Sequence, residues 1–175
     1  MTESEIGTYK ITRKRIGRGA FSIIYKGYHK YTQRDVAIKE INYDTNKKMT
    51  ENIKNEFEIM KKLKHENIIA LHDIYYDKLN KNIYLVLDYY EKGDLSKFLD
   101  NTPLKEKYAK KYMKQLISGL EYLINNDVMH RDLKPQNILV SNDNILKITD
   151  FGFARYAGNN ALLQTLCGSP MYMAP

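Results

Sequence analysis

The sequence contains little that suits an oxidising or membrane environment. Its single cysteine, Cys167, cannot form an intrachain disulfide and is typical of a reducing compartment. No apolar run approaches the roughly 18 residues of a membrane-spanning helix, and no apolar segment follows a basic N-terminal start. Internal repeats and low-complexity segments are also absent from the sequence. These absences predict a soluble protein of the cytosol or the nucleus without a membrane span, and we expect a cytoplasmic location.

The composition favours one globular domain with a basic surface. The 175 residues, 43% of them hydrophobic, are enough to form a core. Lysine and arginine number 28 against 21 acidic residues, and the net charge of +7 favours acidic or phosphate-rich partners. However, the lysines fall in mixed runs such as residues 61–65, without interleaved aromatic side chains that could stack on bases. A solvated surface is therefore the simpler interpretation, and nucleic-acid binding is a minor alternative.

A glycine-rich turn is predicted near the N-terminus, after a polar segment, residues 1–8, that we expect to be flexible. Apolar residues on both sides of Gly17 and Gly19 predict a strand, a turn and a second strand. Glycine at these positions lets the backbone approach an anionic ligand closely, because no Cβ intervenes. An ordinary hairpin turn explains the pattern equally well. A dinucleotide-binding fingerprint is disfavoured, because a strand follows where that motif has a helix.

The next segments predict a strand and a helix. The β-branched run 36–41 predicts a strand with Lys39 at its centre, where a lysine normally points to water. The functional alternative is that Lys39 faces a phosphate and pairs with a glutamate of the helix predicted over 53–63. Glu56 and Glu58 are the candidates. They lie about 200° apart around the helix, so only one of them can face the lysine.

The middle of the chain predicts two more strands and two helices. The strands are expected at 68–74 and 83–87, followed by the aperiodic segment 88–94 and a short helix at 95–99. A longer amphipathic helix then follows, with its apolar residues at helical spacing. We expect this apolar stripe to form core, and it comprises Tyr108, Tyr112, Leu116, Leu120 and Leu123, with Met113, Ile117 and Ile124 alongside.

The most informative stretch surrounds two short apolar runs that predict strands. The segment His130–Asn137 precedes these runs, and Asp150-Phe151-Gly152 follows them. Two carboxylates (Asp132 and Asp150), an ammonium (Lys134) and an amide (Asn137) therefore lie close in the sequence. Together these groups can hold magnesium through oxygen ligands and point a hydroxyl at a phosphate. Singly, each is explained as an ordinary loop or turn residue.

These motifs occur in the order found in eukaryotic-type protein kinases, and the chain resembles that family. The shared features are the glycine-rich turn, the strand lysine, the His-Arg-Asp loop and the Asp-Phe-Gly triplet. Lys134 within Asp-Leu-Lys-Pro, together with residues 168–175, resembles serine/threonine kinases and not tyrosine kinases. More narrowly, residues 150–156 and 165–175 are similar to the autophagy-initiating unc-51-like kinases.

The resemblance implies an α+β, protein-kinase-like fold. A complete N-lobe, with a five-stranded antiparallel sheet plus one helix, is expected over residues 9–87. A hinge is expected over 88–94 and the first part of a helical C-lobe over 95–175. The chain ends at Pro175, before the glutamate that completes the family's Ala-Pro-Glu motif. We therefore expect either a fragment of a longer protein or a truncated product.

The family pattern also implies roles for individual residues. Asp132 would orient the substrate hydroxyl, and Lys134 would neutralise charge on the γ-phosphate. Lys39 and Glu56 complete the catalytic set. Mg²⁺ would be held by Asn137 and Asp150. The residues that would bind ATP are Ile16, Gly17, Gly19, Ala20, Phe21, Ser22, Ile24, Ala37, Lys39, Leu87, Asp88, Tyr90, Asp94 and Leu139.

Regulatory residues follow from the same resemblance. Thr165 occupies the position of activation-loop phosphorylation, and Arg131 and Arg155 occupy the positions that receive the phosphate. A phosphothreonine brings roughly two negative charges, which can order a loop against arginines. The alternative is a solvated loop threonine. Ser169 is expected to bridge Asp132 and Lys134.

The sequence therefore predicts a serine/threonine protein kinase that uses ATP and Mg²⁺ and acts on proteins. The alternative is a truncated module that binds a nucleotide or a partner without turnover, because the apolar helix at 108–124 would lose the helices that normally cover it.

Overall fold

The structure, a computed structural model, describes residues 4–19, 22–42, 56–100, 102–156 and 168–172. The chain forms two compact units. The first unit comprises Met1–Thr50 with Ala70–Tyr89, and the second comprises Glu51–Ile69 with Tyr90–Pro175. Residues 56–62, the described part of the helix predicted over 53–63, therefore belong to the second unit, although the sequence analysis grouped that helix with the sheet.

The first unit contains one antiparallel sheet. Its strands are β1 (Ser4–Ile6), β2 (Tyr9–Arg18), β3 (Ser22–His29), β4 (Asp35–Asn42), β5 (Leu71–Asp77) and β6 (Asn82–Asp88). They lie side by side in the order β1-β2-β3-β4-β6-β5, and every neighbouring pair is antiparallel. The glycine-rich segment thus connects β2 to β3, as the sequence predicted.

Two details of the predicted sheet were wrong. In the described part of the chain the sheet has six strands instead of five, because Ser4–Ile6 pairs with the start of β2 across a turn in which Gly7 has a φ of 52°. Strand β5 begins at Leu71 and not at residue 68. Ile68 instead forms a parallel bridge with Ile148, and the Ile69 amide donates to the Ile148 carbonyl, so both residues contribute to the second unit.

The core of the first unit lies on one face of the sheet. It contains the buried side chains of Tyr9, Ile11, Tyr25, Val36, Ile38 and Val86. Gly27 in β3 allows the strands to pack closely here. A Cβ at this position would lie 2.5 Å from the Lys10 carbonyl oxygen and 2.6 Å from Ile38 Cδ1.

The second unit contains the α-helices of the described part of the chain. Its helices are α1 (residues 56–62), α2 (Leu95–Leu99) and α3 (Glu106–Asn125). Short strands form two antiparallel pairs, which are β7 (Val128–Met129) with β10 (Arg155–Tyr156) and β8 (Ile138–Val140) with β9 (Leu146–Ile148). The hairpin of β8 and β9 places the end of the His130–Asn137 loop beside the start of the Asp-Phe-Gly triplet, because Ile138 pairs with Ile148.

Helix α3 buries only part of its predicted apolar stripe. Tyr112 and Leu123 are buried, and Tyr112 packs in a cluster with residues of β8 and β9. The prediction that the whole stripe forms core was wrong for four residues. Three of them lie about 100–140° around the helix from Tyr112, whereas the fourth lies in the first turn of the helix. The exposed members are Tyr108, Met113, Ile117 and Ile124. Among the described residues, no helix is both long and apolar enough to cross a membrane.

Candidate active site

Two polar side chains of the loop after β7 form a closed ring with Ser169, which belongs to the later segment 168–172. Asp132 is buried at 4% exposure, and Lys134 Nζ lies 2.8 Å from its Oδ2. Lys134 also donates to Ser169 Oγ at 2.7 Å, and Ser169 Oγ donates to Asp132 Oδ1 at 2.8 Å. The bridge that the sequence predicted for Ser169 is therefore present. Both carboxylate oxygens of Asp132 are held in defined positions.

Asn137 fixes the same carboxylate from the other end of the loop. Its Nδ2 donates to the Asp132 backbone carbonyl at 2.8 Å and to Asp132 Oδ2 at 2.9 Å. The side-chain oxygen of Asn137 accepts no hydrogen bond from the part of the chain that the structure describes. The Thr149 amide donates to the Asn137 backbone carbonyl at 3.0 Å, which places Asn137 next to the Asp-Phe-Gly triplet.

Asp132 carries its charge in a buried position. Burial raises the pKa of this carboxyl, but hydrogen bonds from Lys134, Ser169 and Asn137, with the positive charge of Lys134, outweigh burial and bring the pKa below its ordinary value. The carboxylate is therefore ionised at neutral pH. An ionised, oriented carboxylate can accept a hydrogen bond from an alcohol.

His130 supports the backbone of this loop. The Asp132 amide donates to His130 Nδ1 at 3.3 Å, so Nε2 carries the proton and donates to the Thr149 carbonyl at 2.9 Å. Burial lowers the pKa of His130, which keeps the ring neutral. The edge of the ring also packs against Phe151, with centroids 5.1 Å apart. The histidine thus links the loop to the residues on both sides of Asp150.

Asp150 and Glu56 approach the same glycine. Asp150 has a φ of 64° and a ψ of 73°, a left-handed conformation that is unfavourable for a residue with a side chain. A Cβ on Gly152 would lie 3.6 Å from Asp150 Oδ1 and 3.8 Å from Glu56 Oε2. Glu56 is buried, whereas Glu58 is exposed. Of the two candidates, only Glu56 therefore turns towards the protein interior, and its pairing with Lys39 stays a prediction.

The predicted phosphate-binding residues of the first unit lie on adjacent strands. Gly17 pairs with Ile24 across β2 and β3, and the Gly19 amide donates to the Ser22 carbonyl at 2.8 Å. Lys39 in β4 stands opposite Ile24. Ile16 lies in β2, and Ala37 pairs with Leu87 between β4 and β6. The predicted contacts Ala20 and Phe21 lie outside the described residues.

The predicted hinge residues have structural partners of their own. Asp88 ends β6, and its carboxylate contacts Arg34 and His72. Asp94 caps helix α2 by accepting from the Lys97 amide at 3.0 Å, and its backbone bridges to Leu139. Tyr90 lies in the second unit, where the Lys147 ammonium is 5.9 Å from its ring centroid. The nucleotide-binding roles of these three residues stay predictions.

The regulatory residues are only partly described. Arg131 has a φ of 65° next to Asp132. Arg155 is buried, and its guanidinium donates to the Ala154 carbonyl. Thr165 lies outside the described residues, so its contact with either arginine stays a prediction.

Sequence reasoning missed several contacts of the site. It did not find the hydrogen bonds of the His130 ring. It assigned Asn137 to a metal and did not find its bonds to Asp132. Both sets of bonds depend on how the loop turns, and no residue pattern indicates that in advance.

Comparison with known proteins identifies similar sequences. Residues 10–175 match the family described as protein kinase domain. The chain is 44% identical to the serine/threonine-protein kinase atg1 of Dictyostelium discoideum, over 97% of this chain and 27% of that protein. Identity is 45% to the serine/threonine-protein kinase ATG1c of Arabidopsis thaliana, over 97% and 24%. It is 41% to the human serine/threonine-protein kinase ULK1, over 97% and 17%. The chain thus spans about a quarter or less of the length of these relatives.

Proposed function

The chain belongs to the protein kinase domain family, and from this premise we propose that it transfers the γ-phosphoryl group of ATP to serine and threonine hydroxyls of proteins. The α+β, kinase-like fold and the resemblance to unc-51-like kinases predicted from the sequence are confirmed, because the protein kinase domain family matches the chain and its relatives include atg1 and ULK1 kinases. The observation that best supports the proposed activity is the ring formed by Asp132, Lys134 and Ser169.

The ring suits transfer to an alcohol. The ionised carboxylate of Asp132 accepts the hydrogen bond of the incoming hydroxyl and orients its oxygen towards the phosphorus. Lys134 lies 2.8 Å from that carboxylate and stabilises the negative charge of the transferring group. Ser169 holds the two side chains together. Positioning and charge stabilisation are the main contributions that a kinase makes to this reaction.

Two neighbouring groups fit a divalent cation. Asn137 offers its side-chain oxygen, because its Nδ2 is already bonded to Asp132, and Asp150 offers a carboxylate. Such hard oxygen ligands suit Mg²⁺, which takes its other ligands from phosphates and water. When bound, Mg²⁺ neutralises phosphate charge. We assign Asn137 and Asp150 as its protein ligands.

Nucleotide binding is proposed for the residues that the sequence indicated. In the first unit, Lys39 binds the α- and β-phosphates, and the backbone of Gly17 and Gly19 covers them. The carbonyl of Asp88 and the backbone of Tyr90 bind the adenine. We propose that residues 9–87, 88–94 and 95–175 act as nucleotide-binding lobe, hinge and catalytic lobe.

Regulation, partners and location are proposals of the same kind. Phosphorylation of Thr165 is proposed to order the segment around it through Arg131 and Arg155. Unchanged peptide-kinase activity of Thr165→Ala would remove this role. Protein substrates, a cytoplasmic location and a role like that of the Atg1-type relatives complete the proposal, and a nucleic-acid partner is not included.

The proposed activity is tested by incubating the purified chain with γ-labelled ATP, Mg²⁺ and a mixed protein substrate. Acid hydrolysis of the products should place the label on phosphoserine and phosphothreonine. The alternative is a binding module without turnover, for which Mg-ATP raises the melting temperature while no label is transferred. Label on tyrosine alone would contradict the assignment to serine/threonine kinases.

A further inference from the structure

Asp88 is the last residue of β6, and its carboxylate contacts one side chain on each side of that strand. Arg34 Nη2 donates to Asp88 Oδ1 at 2.7 Å, and His72 Nε2 lies 2.8 Å from the same oxygen. Strand β6 lies between β4 and β5. Arg34 directly precedes β4, and His72 belongs to β5. One buried carboxylate therefore joins the elements on both sides of the end of β6.

His72 occupies an irregular position in its strand. The register pairs Leu71 with Leu87 and then Asp73 with Val86, so His72 is an extra residue between two regular pairs. Such a bulge redirects a side chain and leaves one residue unpaired between the two strands. Bulges are frequent next to functional sites. Here the bulged residue is the one that reaches Asp88.

The backbone around Asp88 is fixed as well. Its amide donates to the Ala70 carbonyl at 3.2 Å, and its Cα pairs with that of Val36. Arg34 is held in turn, because its carbonyl accepts from the His29 amide at 2.9 Å. The two partners of Asp88 are thus anchored to the sheet.

We propose that Arg34 and His72 are positioning residues for nucleotide binding. They hold the side chain of Asp88 and thereby fix the peptide group whose carbonyl accepts a hydrogen bond from the purine. This inference rests on the proposed function, in which Asp88 binds the adenine. A preorganised acceptor increases affinity because less conformational freedom is lost on binding.

The test compares Arg34→Ala and His72→Ala with the unmodified chain. Each variant should bind Mg-ADP at least about fivefold more weakly in isothermal titration calorimetry. In the kinase assay, the KM for ATP should rise by a similar factor while kcat is kept, because neither residue touches the transferring phosphate. His72→Gln should restore the affinity, because its amide can donate to the same carboxylate oxygen.

Asn82→Ala is the matched control. Asn82 bonds to Asn42 and Glu40 at the opposite end of β6, so its loss should leave Mg-ADP affinity unchanged. The Arg34 side chain is 63% exposed, so Arg34→Ala should fold even if His72→Ala does not. Circular dichroism checks the fold of each variant.

The outcomes distinguish a failure of the positioning role from a failure of the proposed function. Wild-type affinity in Arg34→Ala, or an equal loss of affinity in Asn82→Ala, overturns the positioning role and leaves the proposed function standing. A folded, unmodified chain that does not bind Mg-ADP overturns the proposed function and the inference with it.

Discussion

Ser169 is the residue that joins two distant parts of the sequence in the site. It lies 35 and 37 positions from Lys134 and Asp132, and it bonds to both. We expect Ser169→Ala to lower kcat about tenfold to hundredfold, because Lys134 and Asp132 lose the group that fixes their separation. Ser169→Thr keeps the hydroxyl and should retain most of the activity. Steady-state kinetics that show equal losses in the two variants would contradict the role of the hydroxyl.

The lowered pKa of His130 predicts how the stability of the protein depends on pH. Its pKa in the folded protein is lowered by burial, whereas the unfolded chain has the ordinary value of about 6.5. Below that value the unfolded state binds more protons, so the stability that neutral His130 provides is lost as the pH falls. Thermal unfolding between pH 7.5 and pH 5.5 should show a smaller loss of stability in His130→Gln than in the unmodified chain. Parallel pH profiles would refute this explanation.

At the scale of elements, Gly27 shows how tightly β2, β3 and β4 pack. A Cβ there would lie 2.5 Å from the Lys10 carbonyl oxygen, and the backbone must move to accept it. We expect Gly27→Ala to lower the free energy of unfolding by roughly 1–3 kcal/mol. Lys14→Ala on the exposed side of β2 should change it by less than about 0.5 kcal/mol. Urea denaturation measures both, and a Gly27→Ala midpoint equal to that of the control would contradict the packing argument.

The elements also show what the sequence could predict. The β-branched run around Lys39 and the helical spacing from Tyr112 to Leu123 placed β4 and α3 correctly, because each depends on local periodicity. Strand β1 was missed because Ser4–Ile6 is short and polar and becomes a strand only by pairing with β2. The bulge at His72 was missed for a similar reason, because a bulge is a property of two strands.

At the scale of the whole molecule, the order of the motifs identified the family, whereas the geometry of the candidate site required the structure. The sequence indicated Asp132, Lys134 and Ser169 as a group, and the structure adds the two hydrogen bonds from Asn137 and the anchoring by His130. Spacing along the chain cannot indicate such contacts, because they depend on the loop between β7 and β8.

The two units of the chain carry different groups of the proposed site. The first carries Lys39 and the glycine-rich hairpin, and the second carries Asp132, Asn137 and Asp150. Proposed nucleotide binding and proposed transfer can therefore be separated by substitution, because a change at Asp132 leaves the groups of the first unit intact.

Asp132→Asn provides the most direct test, because it keeps the shape of the side chain and removes its charge. Binding of Mg-ADP and transfer of labelled phosphate are measured on the same preparation. We expect unchanged affinity and a transfer rate lowered by at least about a hundredfold. A folded Asp132→Asn protein that transfers phosphate as fast as the unmodified chain would contradict the account.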